Sequence, residues 1–234
     1  MIKKNEIFSS LNSKYLKLRF LIAGEDIDPG DVISSETSYS AVLGCLSFLF
    51  NFAFNKYSYS DRQFVMSNCD NCLRRLPDSY VLSCPRCSMV RFCSSRCQQQ
   101  ALTSHHKYEC LVQDVLYNGG CGAWILAYRI VCSKPCQFWM DSYEHLGVVD
   151  EDSEYESADI NRVFNLVTHD IEDDREAPTL MKEALTAVFF LRCLQAKGYF
   201  SNPTKTGTLT QQELVVAKLL HHFMRVVFYN SHEV

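Results

Sequence analysis

The spacing of apolar and polar positions divides this chain into stretches of different character. From Leu16 the run Leu-Lys-Leu-Arg-Phe-Leu-Ile-Ala is β-rich, and Val32 and Ile33 follow a Pro29-Gly30 turn, so a hairpin or a pair of short strands is predicted. Residues 1–15 before it are polar. Between Val42 and Cys69 aromatic residues crowd together in a stripe that reads as core or as an inserted excursion. Its most apolar part, Ala41 to Phe54, is broken by Asn51 and is too short to span a bilayer.

Regular apolar spacing then disappears over residues 69–110 and returns at helical period. Trp124, Ile125, Leu126, Tyr128 and Ile130 form one apolar stretch. Farther on, Pro178 suits the first turn of a helix, Leu180, Ala184, Val188, Leu191 and Leu194 share its predicted apolar face, and Gly198 is placed to stop it. The last helix opens on a Thr210-x-x-Glu213 capping box and runs through Leu220 and Phe223 to about Val227. His221 and His222 inside it point in different directions, so at least one is expected at the surface. The pattern predicts an α+β fold: amino-terminal strands, a compact irregular centre and a carboxy-terminal helical block.

The irregular centre carries the chemistry. It reads Cys69-x2-Cys72-x11-Cys84-x2-Cys87-x5-Cys93-x3-Cys97-x8-His106-x3-Cys110, eight soft ligands within 42 residues. Thiolates and imidazole are what tetrahedral zinc takes, and eight ligands fill two closed sites with no position left for a water. Such sites serve structure. A two-residue gap brings both sulfurs to one ion, so the first two cysteine pairs are expected to form knuckles. Ser94 and Ser95 are suitable N-caps for a helix carrying Cys97 through Cys110, on which His106 and Cys110 share a face.

Composition narrows the function. Apolar residues make up 47% of the 234, enough for a core, and the formal net charge of −4 speaks against a general nucleic-acid binder. Within residues 69–110 six basic side chains face three acidic ones. Two zinc dications and seven thiolates would bring that segment to formal neutrality. Of the twelve cysteines, Cys45, Cys121, Cys132, Cys136 and Cys193 remain outside the pattern. An odd set of scattered thiols fits the cytosol or nucleus better than a disulfide scaffold. Cys121, Cys132 and Cys136 lack a fourth ligand at usual spacing and read as packed thiols. No signal peptide follows the two amino-terminal lysines. Eight acids and no Lys or Arg between Asp141 and Asp159 read as a solvated loop.

The ordered set of eight ligands resembles the MYND-type zinc finger. The resemblance implies interleaved sites, with Cys69, Cys72, Cys93 and Cys97 on one zinc and Cys84, Cys87, His106 and Cys110 on the other. His105 would give the commoner gap after Cys97, whereas His106 keeps the three-residue gap to Cys110 and is preferred. Leu102 stands where the family often has tryptophan.

The opening strands, with the Asp26-Ile27-Asp28-Pro29-Gly30 turn, resemble the start of a SET domain. Helical segments at 166–169, 187–194 and 229–234 extend the likeness to the SET and MYND domain-containing lysine methyltransferases, nearest the branch with tetratricopeptide repeats. The resemblance implies SET-like strands at 1–42, an insertion at 43–68, the finger at 69–110, a helical region at 111–229 holding the acidic loop 141–159, and the start of a SET core at 230–234. It also implies S-adenosylmethionine contacts at Arg19, which follows Leu18 where the family has glycine, and at Asn230. An Asn-His-Ser-Cys motif and the active tyrosine are expected beyond Val234. The function expected is therefore a zinc-dependent protein-interaction module that holds proline-containing peptides and, over these residues, does no chemistry. The alternative expectation is part of a longer S-adenosylmethionine-dependent lysine methyltransferase.

Overall fold

The computed structural model describes residues 66–77, 81–118, 121–146, 160–166, 177–204 and 207–230, with Asp28 and Thr168 as isolated positions. The expected SET-like strands, Arg19, nearly all of the aromatic insertion, residues 147–159 of the acidic loop and residues 231–234 lie outside them. Among the described residues the chain is largely helical, with one small sheet.

Two buried cores divide this part of the molecule. The first gathers Leu76, Val90, Phe92 and Ala101 around Cys69, Cys84, Cys87 and Cys110. Its sheet pairs β1 (Leu82–Ser83) with β2 (Arg91–Phe92) in antiparallel register, Leu82 opposite Phe92. Helix α1 (Ser95–Thr103) follows, then the short α2 (His105–Glu109) and α3 (Gln113–Asn118). Gln98 Nε2 donates to the Ser83 carbonyl at 2.8 Å and so fastens α1 to β1.

The expectation of one helix from Cys97 to Cys110 is corrected here. The helix breaks at Ser104 (φ −111°, ψ −115°). The Ser104 hydroxyl donates to the Gln100 carbonyl at 2.7 Å, and that of Thr103 to the Gln99 carbonyl at 2.9 Å. Adjacent hydroxyls bonding back into the helix compete with the next backbone turn and end it. The break swings His106 onto a separate short helix, with Cys110 as the residue that ends it. At the other end Ser94 is the N-cap, accepting from the Cys97 N–H at 3.2 Å. Ser94→Ala is expected to cost about 0.5–2 kcal/mol, read as a lower urea midpoint at unchanged slope.

The second core is helical. A 3₁₀ turn (Gly122–Trp124) leads into α4 (Ile125–Cys132), followed by α5 (Cys136–Ser142), α6 (Ile160–Phe164), α7 (Ala177–Ala196) and α8 (Gln211–Asn230). Helix α8 is the central post, packed against α4, α5, α6, α7 and the 3₁₀ turn. Its Val216, Leu219, Leu220, Phe223 and Met224 are fully buried, each contributing about 1.5–3 kcal/mol by leaving water. Cys121 and Cys132 are buried in this core, with Cys136 packed partly against it, and none belongs to a metal-binding group among the described residues.

Helix α7 buries the carboxy-terminal part of the face its spacing predicts, Leu191 and Leu194, but not the rest of it. Ala187, Phe190, Leu191 and Leu194 are buried, whereas Leu180 is 44% and Val188 51% exposed. Apolar residues surround most of this helix, so periodicity alone does not choose its inner face; packing against α8 does. Gly198 closes it (φ +71°), with Tyr199 N–H donating to Leu194 O at 3.0 Å and Gly198 N–H to Gln195 O at 3.2 Å. That pair of bonds is the Schellman cap, and the positive φ is what glycine tolerates there.

The capping box of α8 forms reciprocally: the Glu213 N–H donates to Thr210 Oγ1 at 3.2 Å, and the Thr210 N–H to Glu213 Oε2 at 2.8 Å. Thr204 donates twice more to the same carboxylate, from its N–H at 2.7 Å and its hydroxyl at 2.6 Å. Burial alone would raise the Glu213 pKa, but these bonds overcome it and hold the carboxyl down at about 2 from an ordinary 4.5. A depressed carboxyl stabilises the fold above its unfolded pKa and stops doing so as pH falls through its folded one. Glu213→Gln is therefore expected to cost about 1–3 kcal/mol at pH 7, with buried donors left unmatched. The gap between variant and parent should close between pH 4.5 and about 2; a gap constant over that range contradicts the assignment.

His221 and His222 diverge as expected of neighbours on a helix. His222 is stacked on Phe164 with ring centroids 3.9 Å apart and donates to the Phe164 carbonyl at 2.8 Å, while His221 lies 3.7 Å from Glu183 with its side chain 41% exposed. Asn230 ends α8, and its Nδ2 donates to the Val226 carbonyl one turn back at 2.7 Å. Among the described residues no helix is long and apolar enough to cross a membrane.

Candidate metal centre

The knuckle at residues 69–74 is set by backbone hydrogen bonds. The Leu73 N–H donates to Cys69 O and the Cys69 N–H to Arg74 O, both at 2.8 Å, and Asn68 Nδ2 holds the Leu73 carbonyl at 2.8 Å. Leu73 carries φ +61°, a conformation that costs an L residue about 1–2 kcal/mol. The tight loop offsets this and turns Cys69 and Cys72 to one side. Asp70 N–H donates to Arg91 O at 3.0 Å, which lays the knuckle beside β2 and therefore beside Cys93. Cys97 arrives on the first turn of α1.

The second knuckle sits at the end of β1, where the Cys84 N–H donates to Val90 O and the Arg86 N–H reaches the Cys84 sulfur at 3.4 Å. Its partners come from α2 and the residue after it, His106 and Cys110.

Two groups of four result: Cys69, Cys72, Cys93 and Cys97, and Cys84, Cys87, His106 and Cys110, their ligand atoms within 4.8 Å of one another in each group. A tetrahedron with zinc–sulfur arms of about 2.3 Å has sulfurs about 3.8 Å apart, and a sulfur–nitrogen edge of about 3.6 Å. The observed edges are 3.6 Å for Cys72–Cys93 and Cys93–Cys97, 3.9 Å for Cys84–Cys110, and 3.4 Å from the Cys87 sulfur to His106 Nε2. The two groups fit two zinc sites. Burial pushes the Cys110 thiol up to about 12, and the neighbouring sulfurs of Cys87 and Cys84 add to that. A dication is the charge that would turn such a crowd of thiols into thiolates.

Of the two adjacent histidines, His106 is the one placed with the thiols. It is fully buried, and its Nδ1 has no hydrogen-bond partner. His105 turns the other way, its Nε2 3.0 Å from Asp70 Oδ2.

The feature that spacing did not reveal is Arg129, on α4. Its Nε donates to Glu109 Oε1 at 2.6 Å and its Nη2 to Glu109 Oε2 at 2.9 Å and Asp70 Oδ1 at 3.1 Å. Arg129, Glu109 and Asp70 are all buried. Burial would raise the Asp70 pKa, but the guanidinium, helped by His105, holds it well below the usual carboxylate range. Asp70, His106 and Glu109 also lie close enough to share an ion, and the guanidinium already supplies their countercharge. Ionised groups withdrawn from water need a partner, and breaking such a set costs about 3–5 kcal/mol. The sequence signal was present only as an arginine inside an apolar helical run.

Residues 69–110 match the family model of the MYND finger. The chain is similar to a protein-lysine N-methyltransferase SMYD4 of Danio rerio, 32% identical over 120 residues that make up 49% of this chain and 15% of that protein. A SET and MYND domain-containing protein of Dictyostelium discoideum is 29% identical over 103 residues, 43% of this chain and 21% of the relative. The Mus musculus protein-lysine N-methyltransferase SMYD4 is 30% identical over 115 residues, 47% and 14% respectively. The chain thus spans less than a quarter of the length of each of these relatives. No solved structure matches it. The zinc centre is that of a MYND finger, and the chain is related to the SET and MYND domain-containing proteins.

Proposed function

We propose that this chain is a zinc-stabilised protein-interaction module whose finger takes a proline-containing peptide. The observation that carries this reading is the closure of both sites: each group has four soft ligands at tetrahedral edge lengths, so neither ion would keep a position for water or substrate. Cys69, Cys72, Cys93 and Cys97 hold one zinc, and Cys84, Cys87, His106 and Cys110 the other. The ions fix the surface; the surface binds. Near-neutral charge over residues 69–110 suits a peptide better than a phosphate backbone, so nucleic acid is not a partner in this reading. Unpaired thiols throughout the described residues suit the cytosol or nucleus.

The test begins with elemental analysis of protein purified under reducing conditions, where two zinc ions per chain are expected. Proline-containing peptides are then titrated into the loaded protein by calorimetry. Saturable binding that disappears on chelation supports the proposal; a fully loaded protein that binds none of them overturns the peptide assignment.

The names of the relatives favour a second reading, in which the chain belongs to a protein-lysine methyltransferase. S-adenosylmethionine would then bind only where a full SET domain is present, with Arg19 and Asn230 among its contacts. No Asn-His-Ser-Cys run occurs in the 234 residues. Translating the nucleotide sequence past the Val234 codon discriminates: an in-frame Asn-His-Ser-Cys supports the enzyme, and a stop codon removes it.

A further inference from the structure

The two zinc sites are not supported alike. The first is assembled from a hydrogen-bonded knuckle, the end of β2 and a capped helix, with Asn68 just before the finger clasping the knuckle. The second takes His106 from α2, a helix of five residues with no side-chain cap at its start. So short a helix does not hold itself together in water. Its side-chain anchors include His105 to Asp70 and the ring of Phe92 edge-on to His106 inside the finger and, from outside it, Tyr199 against Tyr108 and two consecutive residues of α4. Tyr128 donates its hydroxyl to the Tyr108 carbonyl at 3.1 Å, and Arg129 forks onto Glu109, which lies between His106 and Cys110. The same guanidinium reaches Asp70, next to Cys69, through a single nitrogen.

We propose that Arg129 is a positioning residue for the second zinc site, so that retention of that ion depends on the helical block being docked against the finger. The inference rests on the zinc reading above and adds a direction of control. Glu109 is fixed at both oxygens, which sets the rotation of α2 and with it the imidazole of His106. The countercharge counts as well: three thiolates and an imidazole on a dication carry a net −1, four thiolates a net −2, and two buried carboxylates stand alongside. Arg129 is the cation that faces them from the block. Its geometry matters, because lysine is a point charge and cannot replace a two-nitrogen fork on a carboxylate.

The experiment uses the full chain loaded with zinc, and measures release into a chromophoric chelator for the parent, Arg129→Met, Arg129→Lys and Phe223→Ala. Phe223 is fully buried in the helical core, against Trp139 and Phe164, so its variant lowers the stability of the block but, while folded, keeps the fork and the docked face. Cobalt substitution assigns the lost ion, since a site of three sulfurs and one nitrogen absorbs differently from one of four sulfurs. Removing a group bonded directly to a ligand weakens metal binding roughly tenfold to a hundredfold; Arg129 acts one step farther out, through Glu109, so one of two ions should leave Arg129→Met faster by up to about tenfold, with the four-sulfur site changed less. Arg129→Lys should fall in the same direction, and Phe223→Ala should release both ions near the parental rate under conditions where it is folded.

Should Arg129→Met fail to fold, Arg129→Lys carries the test. Parental release of both ions from a folded Arg129→Lys overturns the inference, as does equal acceleration of the two ions in Arg129→Met. A parent that binds no zinc overturns the zinc reading itself, so the two failures are told apart by the parent alone.

Discussion

His106→Ala protein, purified under reducing conditions, is expected to carry about one zinc ion per chain, whereas His105→Ala keeps two. The two histidines are neighbours in sequence and opposite in role. His106 Nε2 is 3.4 Å from the Cys87 sulfur in a fully buried position, while His105 Nε2 contacts a carboxylate, 3.0 Å from Asp70. Removing the first takes a vertex from a closed tetrahedron; removing the second takes a hydrogen bond from a cluster that Arg129 still neutralises. Structural zinc contributes on the order of 10–16 kcal/mol in small fingers, so losing even part of one site should melt α2. Cys84→Ser should do the same and lose the same ion. Elemental analysis reads the stoichiometry and amide exchange over residues 105–110 reads the melting. Two ions in His106→Ala, or one in His105→Ala, would falsify the placement of the nitrogen ligand.

The ligand groups were legible in the sequence because metal spacing is local chemistry. Pairs at x2 need only a knuckle, and the structure builds both. Which ligands share an ion came from the family resemblance, and the fold gathers them in the same two groups. The α8 capping box was legible for a similar reason, since Thr210 and Glu213 bond each other within one turn. Ser104 was not, because whether a hydroxyl ends a helix or lies quietly along it depends on what the next turn must reach. Here that is the second zinc site. The inner face of α7 was legible only at Leu191 and Leu194, for another reason: a helix with Leu180, Val188, Phe190 and Leu191 on different sides offers several stripes, and only α8 selects among them. Arg129 was hidden by distance. It meets Asp70 across 59 residues of chain, and nothing in the spacing of either announces the other.

Phe223→Ala is expected to destabilise the helical block by about 3–5 kcal/mol, the range for emptying a buried aromatic site. The ring has no exposure on α8, the post against which the other helices pack. It meets Trp139 of α5 with centroids 5.8 Å apart and Phe164 of α6 edge-on at 6.0 Å. Its loss therefore opens a void shared by three helices, which rigid neighbours can fill only partly. Phe228, five residues on, is 51% exposed, and its replacement by alanine should move stability by less than about 0.5 kcal/mol. The pair separates packing from helix propensity, because both substitutions put the same alanine into the same helix. Both tryptophans, Trp124 and Trp139, lie in this block, so urea unfolding followed by their fluorescence reports on it directly. Equal midpoint shifts for the two variants would mean that α8 is not the centre of this core.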